Sequence, residues 1–363
     1  VGAPLVGRSL RIASMTRLKL PRGALLSCLR KPTLCQARHL SDHGSAWKRI
    51  QEDRFGAKVG SSRSHASASD AAAATSLLSF IEERENIVVI SGAGISTESD
   101  IPDYRGPKGA YTTGFKPVMH QKFVSCEKTR RRYWGRSQLG WPKFSLCRPN
   151  AGHFGLARLE AIGRVKAIVT QNVDRLHQAA GSREVLELHG TTHTVGCLSC
   201  DYQACRESFQ RTLDALNPGP GNVGDVGNID EVARHTTPEG TPGLQRPDGD
   251  VEAEIGAGYV VPACPRCGGI LKPDVTFFGD NVPRWRVDAA NDLVASSDGV
   301  LVVGSSLMTF SAFRLAKLAE KEGKKIAVLN MGHTRIDGMA SVVVKCEAPI
   351  GQAMSQIIKC GNF

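Results

Sequence analysis

The first 41 residues contain no Asp or Glu, although eight Lys or Arg stand among them (Arg8, Arg11, Arg17, Lys19, Arg22, Arg30, Lys31 and Arg38). Removing those eight from the formal net charge of +11 leaves +3 for the remainder of the 363-residue chain. The basicity therefore belongs to one end and does not form a surface for a polyanion, so no nucleic-acid partner is expected. Apolar runs of bilayer-spanning length are also missing, which excludes a transmembrane helix and predicts a soluble protein without membrane insertion. The compact apolar core of a secretory signal is absent too. An Arg-rich, Ser-containing, acid-free stretch with Leu at helical intervals is the composition of a mitochondrial transit peptide, so residues 1–41 predict import into the mitochondrial matrix. Residues 42–70, polar and Ser-rich, read as a linker.

A third absence concerns the stretch "VVISGAGISTESDIPDYRG", residues 88–106. A dehydrogenase fingerprint needs G-x-G-x-x-G and an acid about 20 residues further on. Here Thr97 takes the third glycine's place, and no acid lies between Asp103 and Glu127. Hydride transfer loses its usual signature. What remains is a turn of Gly92, Ala93 and Gly94 whose backbone can approach a pyrophosphate closely.

Four short apolar runs, "NIVVISGAG", "VKAIVTQN", "DGVLVVGSS" and "KKIAVLNMG", suit parallel strands covered on both faces. "PNAGHFGLARLEAIG" and "FSAFRLAKLAEKEG" read as crossover helices stopped by glycine, and "SDAAAATSLLSFIEERE" as a helix ahead of the first strand. The fold class is therefore α/β: a Rossmann-like doubly wound parallel sheet with an inserted smaller zinc-binding lobe. The sheet domain takes about residues 71–110, 149–190 and 281–350 of a catalytic domain spanning 71–363; the lobe takes about 111–148 and 191–280. Within the lobe, the Gly- and Pro-rich stretch at 217–250 reads as a mobile loop.

In such sheets ligands bind beyond the carboxyl ends of the strands. Gln171, Asn172 and Asp174 stand there, as do Gly304, Ser305, Ser306, Asn330, Met331 and Gly332, which together describe a dinucleotide crevice. His189, in "ELHG" at the lobe junction, has an imidazole able to accept a proton near neutral pH. Of the eleven cysteines only four form C-x2-C pairs, Cys197 with Cys200 and Cys264 with Cys267. Four thiolates can close a tetrahedral shell around zinc, and a closed shell implies a structural ion. Cys205 is a weaker substitute for Cys200.

"GAGISTESDIPDYRG", "TQNVDRLH", "LHG", the cysteine pairs, "FFGD", "VVGSSL" and "LNMG" appear in the order found in sirtuins, and the chain resembles that family over about residues 85–350. "RRYWGRSQLGWPKF" and "PDGDV" through "VTFFGD" are most similar to its class II mitochondrial, sirtuin-four branch. The resemblance implies an NAD-dependent protein-lysine deacylase that passes the acyl group to ADP-ribose and releases nicotinamide. It also implies His189 as general base, Asn172 and Asp174 around the ribose and nicotinamide, and Gln171 on the ribose. Ser96, Asp103 and Arg105 would hold the loop over the cofactor. Gly304, Ser305, Asn330 and the Cys346 backbone would face the adenosine. Ala93, Thr97, Tyr104, Tyr111, Val173, Ser306, Met331 and Gly332 complete the implied NAD contacts, with Asn172 beside His189 as the catalytic pair.

Acylated lysines on mitochondrial proteins are the implied partners, and "VTFFGD" the implied strand edge for a substrate peptide. Asp100 stands where the family usually carries Gly. Tyr111 is followed three residues on by Gly114 where sirtuins selective for acidic acyl chains have Arg, which speaks against a succinyl preference. Lipoyl, biotinyl, methylglutaryl-like and longer chains stay open, as does mono-ADP-ribosyl transfer to protein from the same pocket.

Overall fold

A computed structural model describes residues 68–107, 109–112, 114, 116–218, 246–361 and 363. The expected transit peptide at 1–41 and linker residues 42–67 lie outside the described residues. The last three linker residues, 68–70, are helical and open α1. The helices are α1 (Ala68–Glu82), α2 (His120–Ser125), α3 (Glu127–Leu146), α4 (Ala151–Ala161), α5 (Leu176–Ala179), α6 (Arg206–Leu216), α7 (Arg284–Ala295), α8 (Phe310–Lys321) and α9 (Ile350–Cys360). The strands are β1 (Ile87–Ser91), β2 (Val165–Thr170), β3 (Val185–Glu187), β4 (Gly190–Cys197), β5 (Gln203–Cys205), β6 (Leu271–Val275), β7 (Gly299–Val303), β8 (Lys325–Leu329) and β9 (Val342–Cys346).

Six strands pair in parallel in the order β3-β2-β1-β7-β8-β9. The chain starts in the middle at β1, moves outward to β3, and resumes on the other side of β1 at β7. That reversal opens a crevice beyond the carboxyl ends of β1 and β7. The alternation of side chains along each strand supplies both faces. Ile87, Val89, Leu301, Val303, Ala327 and Leu329 pack with Leu77, Phe80 and Ile81 of α1, Leu156 and Leu159 of α4, and Met354 and Ile357 of α9. Val88, Ile90, Val300, Val302, Ile326 and Val328 face Ala290 and Val294 of α7 and Ala312, Leu315, Ala316 and Ala319 of α8. Full burial of each large aliphatic side chain contributes about 1.5–3 kcal/mol, so the sheet is a rigid platform for what hangs from its ends.

Four of the six strands are the apolar runs of the sequence. The other two, β3 and β9, lacked a clear signal: β3 has only three residues, and β9 is partly exposed on the sheet edge. Both predicted crossover helices form, as α4 and α8, and Gly163 (φ 80) and Gly323 (φ 69) follow them in the left-handed conformation that ends a helix.

The smaller lobe is an antiparallel sheet, β5-β4-β6, over an aromatic core of Phe123, Tyr133, Trp134, Phe209, Tyr259 and Phe277. Trp134 is fully buried and donates its Nε1–H to the Leu271 carbonyl at 3.2 Å. The stretch 217–250 differs in part from the expected mobile loop. Residues 219–245 lie outside the described residues, but Arg246 and Asp250 are buried. A turn closed by Gly249 N–H on the Arg246 carbonyl (2.9 Å) and an Arg246–Glu252 ion pair (3.0 Å) fasten this end down. Gly249, at φ 82, packs on the Phe144 ring, which leaves no room for a side chain. Among the described residues no helix is long and apolar enough to cross a membrane.

Asn150 joins fold to site. Its Oδ1 caps α4 by accepting from Gly152 N–H at 2.9 Å, while its Nδ2 donates to the Ile95 carbonyl at 2.7 Å and Ser99 Oγ at 2.9 Å. Loss of an N-cap costs about 1 kcal/mol, and the Ile95 carbonyl would lose its donor as well. Urea unfolding should find Asn150→Ala less stable than wild type by about 1–3 kcal/mol, with Asn150→Asp between them because it keeps the cap and loses the amide. Equal stabilities for Asp and Ala would contradict this division.

Candidate active site and metal centre

Glycine spacing governs the first wall of the crevice. β1 ends at Ser91 and the chain turns at Gly92 into a 3-10 segment, Ala93–Ser99. A Cβ on Gly92 would lie 2.7 Å from Ser305 Cβ, and one on Gly94 would lie 2.9 Å from the Gly304 carbonyl. Gly304 itself has φ 60 and meets the Ile95 backbone nitrogen. The ends of β1 and β7 therefore touch backbone to backbone, with Gly94 N–H donating to the Gly304 carbonyl at 2.9 Å. Asp100 closes the segment at φ 63 with its N–H on the Ser96 carbonyl. That left-handed conformation favours glycine and is tolerated by Asp.

Behind the turn lies a cleft lined by Ala93, Ser96, Ile101, Tyr104, Gln171, Asn172, Val173, Asp174 and Pro247. Its polar wall is one connected network. Ser96 Oγ donates to Asp174 Oδ2 at 2.7 Å, and Asn172 Nδ2 donates to Ser96 Oγ at 3.1 Å and the Gly92 carbonyl at 3.2 Å. Asp174 Oδ1 accepts from Leu176 N–H at 2.9 Å. Burial raises the Asp174 carboxyl above its ordinary range, opposed by the hydrogen bonds from Leu176 and Ser96. Gln171 Nε2 donates to Ser305 Oγ at 2.8 Å and the Ser91 carbonyl at 3.1 Å, and its Oε1 accepts from Thr309 Oγ1 at 2.8 Å.

His189 joins this wall at the hinge between lobes. Gly190 follows at φ 82, packed on the Asp274 carbonyl, and starts β4. The imidazole Nδ1 lies 3.1 Å from the Gln171 carbonyl and Nε2 lies 2.8 Å from Ser311 Oγ. A carbonyl can only accept, so Nδ1 carries the proton and Nε2 is the lone-pair nitrogen of the neutral ring. Burial pushes the imidazole down to about 4; the Gln171 hydrogen bond opposes this and the nearby Arg286 charge reinforces it. At neutral pH the ring is therefore an uncharged acceptor.

Over the cleft, the Asp103–Tyr111 loop is closed by Ala110 N–H on the Asp103 carbonyl (3.0 Å) and Tyr111 N–H on the Tyr104 carbonyl (2.9 Å). The Tyr104 and Tyr111 rings lie tilted at 39° to one another with centroids 5.4 Å apart, and the Arg105 guanidinium sits 5.1 Å from the Tyr111 ring centre.

In the smaller lobe, the thiols of Cys197, Cys200, Cys264 and Cys267 all lie within 4.8 Å of one another. Sγ atoms of Cys197 and Cys267 are 3.5 Å apart, and those of Cys200 and Cys264 are 3.7 Å apart. Both separations exceed the ~2.05 Å of a disulfide and approach the edge of a tetrahedron built on Zn–S bonds of about 2.3 Å. Ser199 N–H points at Cys197 Sγ from 3.3 Å, a donor suited to a metal-bound thiolate. The donor set fits a structural zinc. Cys205, at the start of α6, is outside the cluster.

Residues 92–311 match the Sir2 family. The chain belongs to the Sir2 family. Over 293 residues it is 44% identical to the NAD-dependent protein deacylase SRT2 of Arabidopsis thaliana, covering 79% of this chain and 76% of that protein. It is also 44% identical to the NAD-dependent protein deacylase Sirt4 of Drosophila melanogaster, over 78% of this chain and 86% of the relative. A solved complex of Sir2 with p53 peptide and NAD+ is 26% identical and superposes with a TM-score of 0.56, over 79% of this chain and 98% of that one.

Of the residues singled out in this sirtuin sequence, Ala93, Ser96, Tyr104, Gln171, Asn172, Val173 and Asp174 line the cleft, and His189 adjoins it through Gln171. Gly92 and Gly94 pack against Ser305 and Gly304 at the adjoining strand ends. Others stand apart from that lining. Thr97 is exposed, with Oγ1 on the Gly94 carbonyl at 2.9 Å, and Asp103 Oδ1 accepts from Gly106 N–H at 2.9 Å. Ser306 holds Arg335 N–H through its carbonyl at 2.9 Å. Asn330 is buried and its N–H donates to the Cys346 carbonyl at 3.1 Å, while the Met331 side chain is exposed and Gly332 turns the chain at φ 82. Sequence reasoning missed Ile101, Pro247, Thr309 and Ser311. Thr309 and Ser311 carried only the ordinary signal of hydroxyls at a helix start.

Metal removal tests the lobe. Structural zinc stabilises by about 10–16 kcal/mol, against roughly 5–15 kcal/mol for a whole domain. Stripping zinc with a chelator under mild denaturant, or replacing Cys264 by Ser, should abolish the near-ultraviolet signal of the aromatic core built on Trp134. Stoichiometric zinc analysis should return one ion per chain; folded protein with none would contradict the assignment.

Proposed function

We propose that this sirtuin is an NAD-dependent protein-lysine deacylase that transfers the acyl group to ADP-ribose and releases nicotinamide. The observation that carries the reading is the tautomer of His189: a half-buried, neutral imidazole whose lone-pair nitrogen, Nε2, is held by the Ser311 hydroxyl beside the strand-tip crevice. The names of the relatives support the same activity.

The polar set fits NAD, which when bound supplies a ribose carbon bearing a nicotinamide leaving group. Gly92, Ala93, Gly304 and Ser305 would take the phosphates and adenosine side, with Asn330 beyond them. Ser96, Gln171, Asn172 and Asp174 would hold the nicotinamide ribose. His189 acts as the general base: Nε2 receives a ribose hydroxyl proton, and the Gln171 carbonyl holds Nδ1–H as positive charge develops on the ring. Ile101 and Tyr104, which line the cleft, would shield the reacting end from water. Thr276 N–H is already bonded to the His189 carbonyl at 2.8 Å, and Phe278 makes a bridge with Met119. The substrate peptide would extend this pairing along "VTFFGD". Residence in the mitochondrial matrix, acting on mitochondrial acyl-lysines, rests on the composition of residues 1–41 and is tested by fusing them to a fluorescent reporter.

A panel of acyl-lysine peptides with NAD tests the activity: labelled acyl appearing on ADP-ribose supports it, and ADP-ribose left on protein contradicts it. His189→Ala should lose about 10²–10⁴-fold in rate while still binding NAD; unchanged turnover removes the general-base role.

The pH profile follows from the depressed imidazole. A base with a lowered value stays unprotonated as pH falls through 6.5, so kcat/KM should hold below the ordinary histidine midpoint of about 6.5 and decline as pH approaches about 4. A half-point at 6.5 or above would show a solvated ring.

A further inference from the structure

One contact of the His189 imidazole has no part in taking a proton. Ser311 Oγ lies 2.8 Å from Nε2. Because Nδ1–H is committed to the Gln171 carbonyl, the Ser311 hydroxyl must donate, and it occupies the lone pair that the base needs. We propose that Ser311 is a positioning residue: its hydroxyl holds His189 Nε2 in place in the free enzyme and yields that nitrogen to the substrate hydroxyl on binding. The proposal rests on His189 being the general base.

The geometry around Ser311 explains how a helix residue can hold a ring on another element. Ser311 is the second residue of α8, and Thr309, which precedes the helix, donates its Oγ1–H to Gln171 Oε1 at 2.8 Å. Gln171 thus grips the start of α8 with its side chain and His189 with its carbonyl. Ser305 Oγ, on the same β7–α8 connection, takes Gln171 Nε2 at 2.8 Å. Ser311 bonds His189, His189 bonds Gln171 and Gln171 bonds Thr309, so the hydrogen-bonded path returns to the start of α8. Without Ser311 the imidazole is tied at one nitrogen and can swing about its side-chain bonds, which moves Nε2.

Charge does not supply a substitute. Among the described residues, Arg286 of α7 is the charged group that acts on the ring, and it is paired with Asp274 of β6 at 2.7 Å. No ion pair or hydrogen bond links either of them to the imidazole, so the neutral hydroxyl of α8 is the partner of Nε2.

Losing one hydrogen bond of ordinary strength changes an equilibrium by about three- to tenfold. Ser311→Ala and Ser311→Thr in the full chain test the proposal, with kcat/KM for NAD from initial rates and NAD affinity from calorimetry without peptide. The expected result is a kcat/KM about three- to tenfold lower in Ser311→Ala, NAD affinity unchanged or tighter, and a Ser311→Thr value restored by its hydroxyl. A wild-type kcat/KM in Ser311→Ala, a loss caused only by weaker NAD binding, or a Thr variant no better than Ala would overturn it. His189→Ala separates the two levels. If that variant turns over normally, the general base itself is wrong; if it is dead while Ser311→Ala is unaffected, only the role of Ser311 is wrong.

Discussion

The carbonyl of Gln171 decides which nitrogen of His189 carries the proton, and the chemistry of the cleft depends on that hydrogen bond. An imidazole in water exchanges its tautomers freely. Pinned by an acceptor on Nδ1 and partly shielded from solvent, it becomes a neutral ring with one lone pair in a fixed direction. Burial alone would depress the basicity of the ring and leave its orientation undetermined. The carbonyl supplies orientation and returns some basicity as charge develops. Gln171 can do this because it sits at the end of β2, held by its own N–H and side-chain amide to the Ser91 carbonyl of β1.

That position follows from the sheet. With strand order β3-β2-β1-β7-β8-β9, the carboxyl ends of β1, β2 and β7 converge at the reversal point, and connections there have no packed layer above them. Close approach of Gly92 and Gly94 to Gly304 brings two of these ends into backbone contact. A side chain at any of the three would separate the turn from Ser305 and slacken the network through Gln171. Asn150 performs the same service from the other face, joining a helix cap to the Ile95 carbonyl. The site is thus rigid on the sheet side, while the second lobe, organised around its aromatic core and four thiols, adds Pro247 to the lining.

Much of this was legible in the sequence, for physical reasons that differ by element. Four strands were readable because doubly covered parallel strands are continuous aliphatic runs; β3 and β9 were not, being three residues long and half-exposed respectively. Cysteine spacing announced the thiol cluster because two C-x2-C turns have few other uses in a reducing compartment. The cleft residues Gln171, Asn172 and Asp174 were found by their place after a strand. Pro247 was not, because a Gly- and Pro-rich segment gives no hint that one end is nailed into the protein by Arg246 and Gly249. Nor was Ser311, whose partner lies 122 positions away in the chain. Thr97 shows the converse: a residue inside the most recognisable motif whose hydroxyl serves the turn itself.

The central claim is that His189 is a neutral ring protonated on Nδ1 alone, and nitrogen NMR of the histidine-labelled protein measures this directly. At pH 7 the His189 resonances should show a protonated Nδ1 and a bare Nε2, and this pattern should persist on acidification well below pH 6.5. A proton on Nε2, or a titration centred near 6.5 as for a solvated histidine, would contradict the account.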